Sequence, residues 1–427
     1  MRITYLHQYF NTPEMSGGTR SYEMARRLVA MGHEVNMVTS WREEGGERDW
    51  YETEEAGIRV HWLPVPYSNH MSYSERMRAF VRFAWQAARK AASIPADVVF
   101  ATSTPLTIAL PGAYAARKQK VPMVFEVRDL WPEVPIALGV LNNPIAQKAG
   151  RLLERFAYNK SAHVVALAPG MRDGVCNTGY DGNKVSVIPN GADLDSLEPA
   201  FEPQYKNNES YSERRAGLVV YCGTIGPANG VGYICRLAES IKRQFPEDET
   251  EFLVIGDGKC RKEVEMEAEK LGVLGSKVKF LGAVSKRQVF EWLQQSDVTI
   301  MTYDGPEVLY RDSVSNKFFD SIACGCPVVS NFEGFSTMTA KAYGAGIILP
   351  RQDLEGAAAT LVDYLSDRVA MDRARVNAVG LATEWFSRDR LAVALETVLR
   401  GVVERRADQL PVGLEFVGLW DEVKGAS

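Results

Sequence analysis

Buried strands alternate with amphipathic helices along most of this chain. RSYEMARRLVAMG, after the first strand, places Met24, Leu28 and Met31 on one helical face, and Gly32 ends that helix. Alternation of this kind favours a parallel sheet that is covered by helices on both faces. The strand-like segments of the first half are RITYLHQY, EVNMVTS, ADVVFATS, PMVFEVRD, AHVVALAP and KVSVIPN.

The alternation stops once and then restarts. Residues 196–216 are polar and poor in strand signals, which predicts a linker, and a new series begins with GLVVYCG. The sequence therefore predicts an α/β fold of two doubly wound, Rossmann-like parallel-sheet domains. We expect a first domain over 1–195, the linker 196–216, a second domain over 217–388, a helix over 389–406 that crosses back, and an unassigned tail, 407–427.

Ligands of doubly wound sheets bind beyond the carboxyl ends of the strands. Two such sheets facing each other would form a cleft, in which one half takes a donor and the other an acceptor. Gly17 and Gly18 lie between the first strand and the first helix, where backbone N–H groups can approach an anion. A simple tight turn explains a double glycine equally well.

Charge and composition narrow the partners. The 427 residues carry a formal net charge of -5, which argues against general nucleic-acid binding. The distribution is uneven, because residues 1–195 carry 22 Lys and Arg against 20 Asp and Glu. The first half is therefore the better partner for an anionic molecule.

The cysteines and the apolar segments indicate a cytoplasmic protein. The six cysteines have no zinc-type spacing, which predicts reduced thiols, and no segment has the pattern of a signal peptide or a membrane span. A helix over 75–93 carries an apolar stripe flanked by basic residues. Packing within its own domain explains the stripe, and the alternative is a peripheral contact with the cytoplasmic face of the inner membrane. The stripe comprises Met77, Phe80, Val81, Ala84 and Ala88, and the bases are Arg76, Arg82, Arg89 and Lys90.

Three polar motifs follow predicted strands. EVRDLWPE places Asp129 among crowded charges, where either a ligand contact or an internal ion pair with Arg128 is expected. PNGAD includes Asn190, for which a turn is as good an explanation as ligand binding. The nearby Asp193-Leu194-Asp195 mimics a metal-binding DxD, but its place at a domain exit favours a structural role and no metal.

The loop CGTIGPANG, residues 222–230, follows the first strand of the second domain and resembles a phosphate-binding loop. It contains Gly223 and Thr224 but matches neither GxGxxG nor the P-loop pattern. The absence of a dinucleotide fingerprint counts against a dehydrogenase.

The segment DSVSNKFFD combines two carboxylates with a misplaced cation. Ser315 or Asn316 can cap a helix that runs to Cys324, which puts Lys317 in its first turn. A lysine there opposes the helix macrodipole by about 0.3–1 kcal/mol. A bound diphosphate would make the same lysine favourable, whereas a side chain extended to solvent is the alternative. Asp312 and Asp320 would both face the ligand.

Taken together, these motifs resemble the family-four retaining glycosyltransferases of the GT-B type. The similar segments are the GG loop, RDLWPE, VIPNGAD, YCGTIG…NG, VIGDG, FLGAVS and NKFFDSIACGCPVV, and they cover about residues 1–406. The closest subgroup assembles bacterial surface polysaccharides, such as lipopolysaccharide, capsule or exopolysaccharide, and includes N-acetylfucosamine transferases.

The resemblance implies roles for individual residues. Asp312 and Asp320 match a family carboxylate pair that is normally two glutamates, with Asp312 near the transferred sugar and Asp320 near the nucleotide ribose. The family places an arginine and a lysine at the positions that Thr224 and Asn229 occupy here, so Lys317 becomes the expected diphosphate cation. Donor contacts are also implied for Gly258, Val284 and Asn316, while Asp129 matches a group near the sugar.

The expected reaction follows from this resemblance. The first domain would bind a glycan or lipid-linked saccharide acceptor and the second a nucleoside-diphosphate sugar, UDP-linked. Transfer would proceed with retention and without a metal or other cofactor, and catalysis would rest on Asp129, Asp312 and Lys317. An inverting reaction with Asp129 as base stays open. Two other functions also stay open: a nucleotide-sugar epimerase on the same fold, and a non-catalytic nucleotide-sugar-binding partner of an assembly complex.

Overall fold

The computed structural model describes residues 1–427 except 16, 44–48, 68–70, 195–216, 407–408 and 426–427. The chain divides into two compact units. The first unit comprises Met1–Pro189 and Arg388–Gly418, and the second comprises Asn190–Ser387 and Leu419–Ser427. The predicted linker over 196–216 lies outside the described residues.

The first unit is built on one twisted sheet. Its strands are β1 (Arg2–Leu6), β2 (Glu34–Trp41), β3 (Tyr51–Glu55), β4 (Ile58–Pro64), β5 (Val98–Thr102), β6 (Met123–Val127), β7 (His163–Ala166) and β8 (Val185–Val187). Their order across the sheet is β3-β4-β2-β1-β5-β6-β7-β8. All neighbours pair in parallel, as predicted, except β3 and β4. The sequence reasoning missed β3, which forms a hairpin through Ala56 and Gly57, both with positive φ as a tight hairpin turn requires.

Helices cover this sheet because one face of each is apolar. In the first of them the predicted core residues Met24 and Leu28 are fully buried. The second begins at a capping box in which Ser72 and Glu75 exchange hydrogen bonds. These helices are α1 (Arg20–Ala30), α2 (Tyr73–Ser93), α3 (Ala109–Gln119), α4 (Glu133–Ala137), α5 (Pro144–Lys160) and α6 (Pro169–Asn177).

The second unit repeats the design with a wholly parallel sheet. Its strands are β9 (Leu218–Cys222), β10 (Glu251–Ile255), β11 (Val278–Leu281), β12 (Val298–Met301), β13 (Val328–Ser330) and β14 (Gly346–Ile348), in the order β11-β10-β9-β12-β13-β14. The flanking helices are α7 (Gly232–Gln244), α8 (Arg261–Lys270), α9 (Lys286–Gln295), α10 (Asn316–Ala323), α11 (Phe335–Ala342), α12 (Leu354–Ser366) and α13 (Arg368–Glu384). The α/β prediction of two doubly wound sheets is confirmed.

Two further helices follow the second sheet in the chain. Helix α14 (Arg388–Glu404) packs on the first unit, where Asp389 pairs with Arg27 and Glu396 bonds His33. Helix α15 (Glu415–Gly425) lies in the tail that the sequence left unassigned. Within the described residues, no helix combines the length and the apolarity that a bilayer crossing requires.

A fully buried ion pair joins distant parts of the first unit. Arg20 at the start of α1 donates to Glu126 on β6, with an N–O distance of 2.8 Å and no exposure of either side chain. The same guanidinium donates to the carbonyls of Ile188 and Pro189, and Thr102 donates to Glu126. The charges of Arg20 and Glu126 therefore match each other. Because Arg20 also binds the carbonyls of Ile188 and Pro189, the pair attaches that part of the chain to the sheet.

We expect Glu126→Gln to lower the free energy of unfolding of the first unit by about 3–5 kcal/mol, because it leaves the Arg20 charge buried without a carboxylate. Urea denaturation followed by far-UV circular dichroism measures this change. Glu415→Gln is the matched control, since Glu415 pairs with Arg390 while both side chains are 45% exposed, and it should cost at most about 1 kcal/mol. Equal costs for the two variants would contradict the structural role of the buried pair.

Candidate active site

The predicted donor residues of the second unit lie where four neighbouring strands end. Strands β11, β10, β9 and β12 are adjacent and parallel, so their carboxyl ends meet at one edge of the sheet. The connections that follow these strands carry Val284, Gly258, Gly223 and Lys317 respectively. The fold thus brings together residues that are up to 94 positions apart in the sequence.

Lys317 lies in the first turn of α10, as predicted. Ser315 has the extended backbone of an N-cap residue, but its side chain makes no capping hydrogen bond. Phe318 and Phe319 are buried in the core, which fixes the rotation of the helix. Lys317 therefore points to the strand ends, where its Nζ donates to Tyr221 Oη at 2.7 Å and lies 4.3 Å from the centroid of that ring.

The glycine loop fits closely around this lysine. Gly223 has a φ of 144°, and a Cβ added there would clash with the Lys317 side chain. Tyr221, two residues earlier, donates its hydroxyl to the carbonyl of Thr224 at 2.7 Å. Since the same hydroxyl accepts from Lys317, Tyr221 ties the lysine to the loop.

Burial changes the acidity of this ammonium. Desolvation lowers the pKa of Lys317 to about 8, and a small opposing effect comes from Cys222. No carboxylate forms an ion pair with Lys317 within the described ranges. The site therefore holds a partly desolvated cation whose charged form an anionic ligand would favour.

The carboxylate of Asp320 is held by a second lysine that the sequence reasoning missed. Lys286 begins α9, and its Nζ lies 3.4 Å from both Asp320 Oδ1 and Asp193 Oδ2. Like Lys317, it is a cation in the first turn of a helix, so the same violation of helix electrostatics could have identified it. Asp193 thus has a structural ion pair, and Asp195 lies outside the described residues.

Asp312 lies in the loop before α10 and is 6% exposed. Its Oδ2 accepts from Arg311 at 2.8 Å. The Asn190 side chain donates to the carbonyl of Val314 at 2.6 Å, which fastens this loop to the start of the second unit. Asn190 therefore braces the loop that carries Asp312 and leads to Asn316, the first residue of α10.

Two further predicted donor residues shape the same edge. Gly258 follows β10 with a φ of 157°, and a Cβ there would lie 2.5 Å from the carbonyl oxygen of Ile225. Val284 is half-buried and precedes Ser285, which caps α9 by a capping box with Gln288. Thr224 is exposed on the glycine loop, so its side chain is available to a ligand.

The other predicted residues belong to the first unit. Gly17 and Gly18 precede α1, and Asn11 Nδ2 donates to the Gly18 carbonyl at 3.2 Å. Asp129 follows β6 and its side chain is solvent-accessible. Surrounding protein nevertheless desolvates it enough to raise its pKa to about 6, against a weaker opposing effect of Arg128.

No group of three or more metal-ligating side chains lies together in the part of the chain that the structure describes. The arrangement at the end of β9 and the start of α10 instead presents an ammonium, a glycine loop and a helix N-terminus that has no side-chain cap, which suit an anion.

Comparison with known families agrees with this geometry. Residues 17–191 match the glycosyl transferase 4-like domain, and residues 216–367 match the domain called glycosyl transferases group 1.

Two curated proteins are similar over half of the chain. The Vi polysaccharide biosynthesis protein VipC/TviE of Salmonella typhi is 26% identical over 220 residues, which are 50% of this chain and 33% of that protein. The phosphatidyl-myo-inositol mannosyltransferase of Mycolicibacterium smegmatis is 27% identical over 221 residues, 51% of this chain and 52% of that protein. The similarity thus spans about half or less of each curated relative.

Solved structures share the fold over nearly the whole chain. The sucrose-phosphate synthase of Thermosynechococcus elongatus has a TM-score of 0.73 at 14% identity and covers 95% of this chain and 99% of its own. HepE of Anabaena in complex with UDP has a TM-score of 0.66 at 16% identity and covers 94% and 100%. The chain thus carries two glycosyl transferase domains, one in each half, and shares the GT-B fold with these structures.

Proposed function

We propose that this protein transfers a sugar from a nucleoside-diphosphate sugar to a hydroxyl group of a glycan or lipid-linked saccharide. The observation that carries the proposal is the desolvated ammonium of Lys317 against Gly223, at the start of α10. A diphosphate is the ligand for which a cation, a glycine loop and a helix N-terminus are all favourable. A UDP-linked donor is supported by the similar HepE, which was solved with UDP and with UDP-glucose.

In this reaction the bond between the anomeric carbon and the diphosphate oxygen breaks, and a bond to the acceptor oxygen forms. Negative charge grows on the departing diphosphate, where Lys317 and the N–H groups of α10 stabilise it. The acceptor proton passes to a diphosphate oxygen on the same face of the sugar, so the anomeric configuration is retained. No metal or other cofactor is needed in this scheme, because the fixed cation and dipoles neutralise the leaving group.

The carboxylates position the substrates. Asp312, held by Arg311, contacts the transferred sugar, whereas Asp320, held by Lys286, binds the ribose of the nucleotide. Asp129 on the first unit positions the sugar or the acceptor. A role in surface polysaccharide synthesis is supported by the similarity to a Vi polysaccharide biosynthesis protein.

A peripheral membrane contact is also proposed, through α2. Its exposed side carries Val81 and Trp85, 59% and 63% exposed, at the same helical face as Arg82 and Arg89. Arg89 lies 4.6 Å from the centroid of the Trp85 ring. Of the predicted apolar stripe, Ala84 is buried in the first unit, so the membrane would meet only the outer part of the stripe. Cations beside an exposed tryptophan suit an anionic lipid surface at the cytoplasmic side.

Lys317→Ala should weaken UDP binding about tenfold or more, since a charge-assisted hydrogen bond to phosphate is lost.

Asp312→Asn should leave the UDP affinity unchanged and lower turnover about 100-fold or more. Isothermal titration with UDP and a sugar-transfer assay over a panel of UDP-sugars in EDTA measure both. The control is Lys341→Ala on α11, an exposed lysine in the same unit.

Three outcomes would contradict the proposal. Unchanged UDP binding by Lys317→Ala would remove the diphosphate from this site. A free sugar product formed without any acceptor would indicate an epimerase. Tight donor binding without turnover over glycan and lipid-linked acceptors would indicate a non-catalytic binding partner.

UDP affinity should fall as the pH rises through about 8. The free protein loses the Lys317 proton near that pH, whereas the bound diphosphate raises the pKa in the complex, so binding at higher pH requires proton uptake. We expect a constant affinity from pH 6.5 to 7.5 and then a loss that approaches tenfold for each further pH unit. Lys317→Arg, which stays charged, should give a flat profile above pH 8, and a slope equal to that of the wild type would exclude Lys317 as the titrating group.

Anionic vesicles should retain the wild-type protein in flotation, and Trp85→Ser should reduce the retained fraction several-fold. Burial of the indole in the lipid interface should also shift its fluorescence to shorter wavelengths. Val376→Ser, at a valine that is 72% exposed on α13, is the matched control. Equal retention of both variants, or equal retention on neutral and anionic vesicles, would argue against α2 as the contact.

A further inference from the structure

A second polar site lies at the carboxyl edge of the sheet in the first unit. Its residues follow three strands: His7 follows β1, Arg42 follows β2 and Arg128 follows β6. Because β2, β1, β5 and β6 are consecutive and these pairs are parallel, their carboxyl ends open on the same edge. Neither the proposed donor contacts nor the proposed reaction steps use these three residues.

His7 presents a hydrogen-bond donor that has no acceptor among the residues that the structure describes. The side chain is neutral, because burial and the nearby Arg128 and Arg42 lower its pKa well below the usual range. Arg128 Nη1 donates to His7 Nε2 at 3.1 Å, so the proton of the neutral ring lies on Nδ1. His7 is 3% exposed, and Nδ1 has no hydrogen-bond partner among the described residues.

The next residue adds to this unmet polarity. Gln8 is 1% exposed, and neither its amide nitrogen nor its amide oxygen finds a partner within the described part of the chain. Buried polar groups of folded proteins are nearly always hydrogen-bonded, so two adjacent exceptions point to a ligand or to water at this edge.

The two guanidinium groups give the site a positive charge. Neither Arg42 nor Arg128 forms an ion pair with a carboxylate in the ranges that the structure describes, although both are half-buried. Arg42 donates to Asn11 Oδ1 and lies 5.8 Å from the centroid of the Tyr9 ring. The backbone N–H of Arg128 donates to Ser103 at 3.0 Å. Both arginines are therefore fixed in place, and the carboxylates that act on Arg128, those of Glu126 and Asp129, form no ion pair with it.

We propose that His7, Arg42 and Arg128 bind an anionic group, a phosphate or a carboxylate, on the saccharide acceptor. This inference rests on the proposed transferase function, because the reaction needs a second substrate. An anionic group would balance the charge of the two guanidinium groups, and an oxygen of the same substrate would accept from His7 Nδ1, on the side of the ring opposite Arg128. A neutral saccharide would satisfy the hydrogen bond but leave the charges unpaired.

Binding of small soluble probes tests this directly. Glucose 1-phosphate and methyl glucuronide represent the two anionic classes, and methyl glucoside is the neutral counterpart. Titration at 150 mM salt and saturating UDP keeps the probes away from the diphosphate site. We expect at least one anionic probe to bind the wild type ten times more tightly than methyl glucoside does, and the preferred probe identifies the acceptor group as phosphate or carboxylate.

Arg42→Gln and Arg128→Gln should each weaken that probe at least tenfold, while Arg117→Gln, at an exposed arginine on α3, should have no effect. UDP affinity measured for the same variants reports separately on the second unit. If the wild type does not bind UDP, the proposed function is refuted, while the proposal for the anion site is not affected. Equal binding of neutral and anionic probes, or equal losses in all three variants, would refute the anion site.

A measurement on the wild type covers the case in which a variant fails to fold. The chain has five histidines, so nitrogen NMR of labelled histidine can follow the His7 ring directly. We expect the pattern of the neutral ring protonated on Nδ1, and a shift of that resonance upon addition of the anionic probe. A His7 resonance that is unchanged by saturating probe would overturn the proposal.

Discussion

In the second unit, Lys317 is held in an energetically unfavourable position. Lys317 opposes the macrodipole of α10, at about 0.3–1 kcal/mol, and is also desolvated enough to lower its pKa to about 8. The buried Phe318 and Phe319 fix the helix rotation, and Tyr221 fixes the ammonium. Because the phenylalanines and the tyrosine hold the lysine in an unfavourable state, an anion that reverses both costs gains binding energy without further reorganisation.

The cations discussed above fall into two groups, those that have a carboxylate partner and those that have none among the described residues. Arg20 is fully buried, yet Glu126 and two carbonyls satisfy it, so its contribution is structural. Lys286 is likewise bound to Asp193 and Asp320. Lys317, Arg42 and Arg128 lack such carboxylates within the described residues, and all three lie after strands at a carboxyl edge. A carboxylate partner therefore distinguishes a structural cation from a ligand-binding one. Burial alone does not distinguish them.

Sequence patterns predicted the fold better than they predicted the contacts between side chains. The period of the apolar residues gave the two parallel sheets and the helix that begins at Asn316, because burial of strands and helix faces leaves a regular trace. The hairpin strand β3 was missed, since its residues are mostly polar and only the Ala56-Gly57 turn marks it. Tyr221 was missed because a tyrosine in a buried strand has the pattern of a core residue. Its role arises from Lys317, 96 positions away, which no local pattern records.

The glycine loop of the second unit differs from the pattern that the family resemblance implies. The resemblance described from the sequence leads one to expect an arginine and a lysine where Thr224 and Asn229 stand. Here Lys317 enters the same loop from α10 and packs so closely on Gly223 that no side chain fits there. The positive charge is thus supplied by a neighbouring helix and not by the loop itself. Since Tyr221 bonds both Lys317 and the Thr224 carbonyl, loop and lysine form one hydrogen-bonded unit, and a change in either one alters the position of the charge.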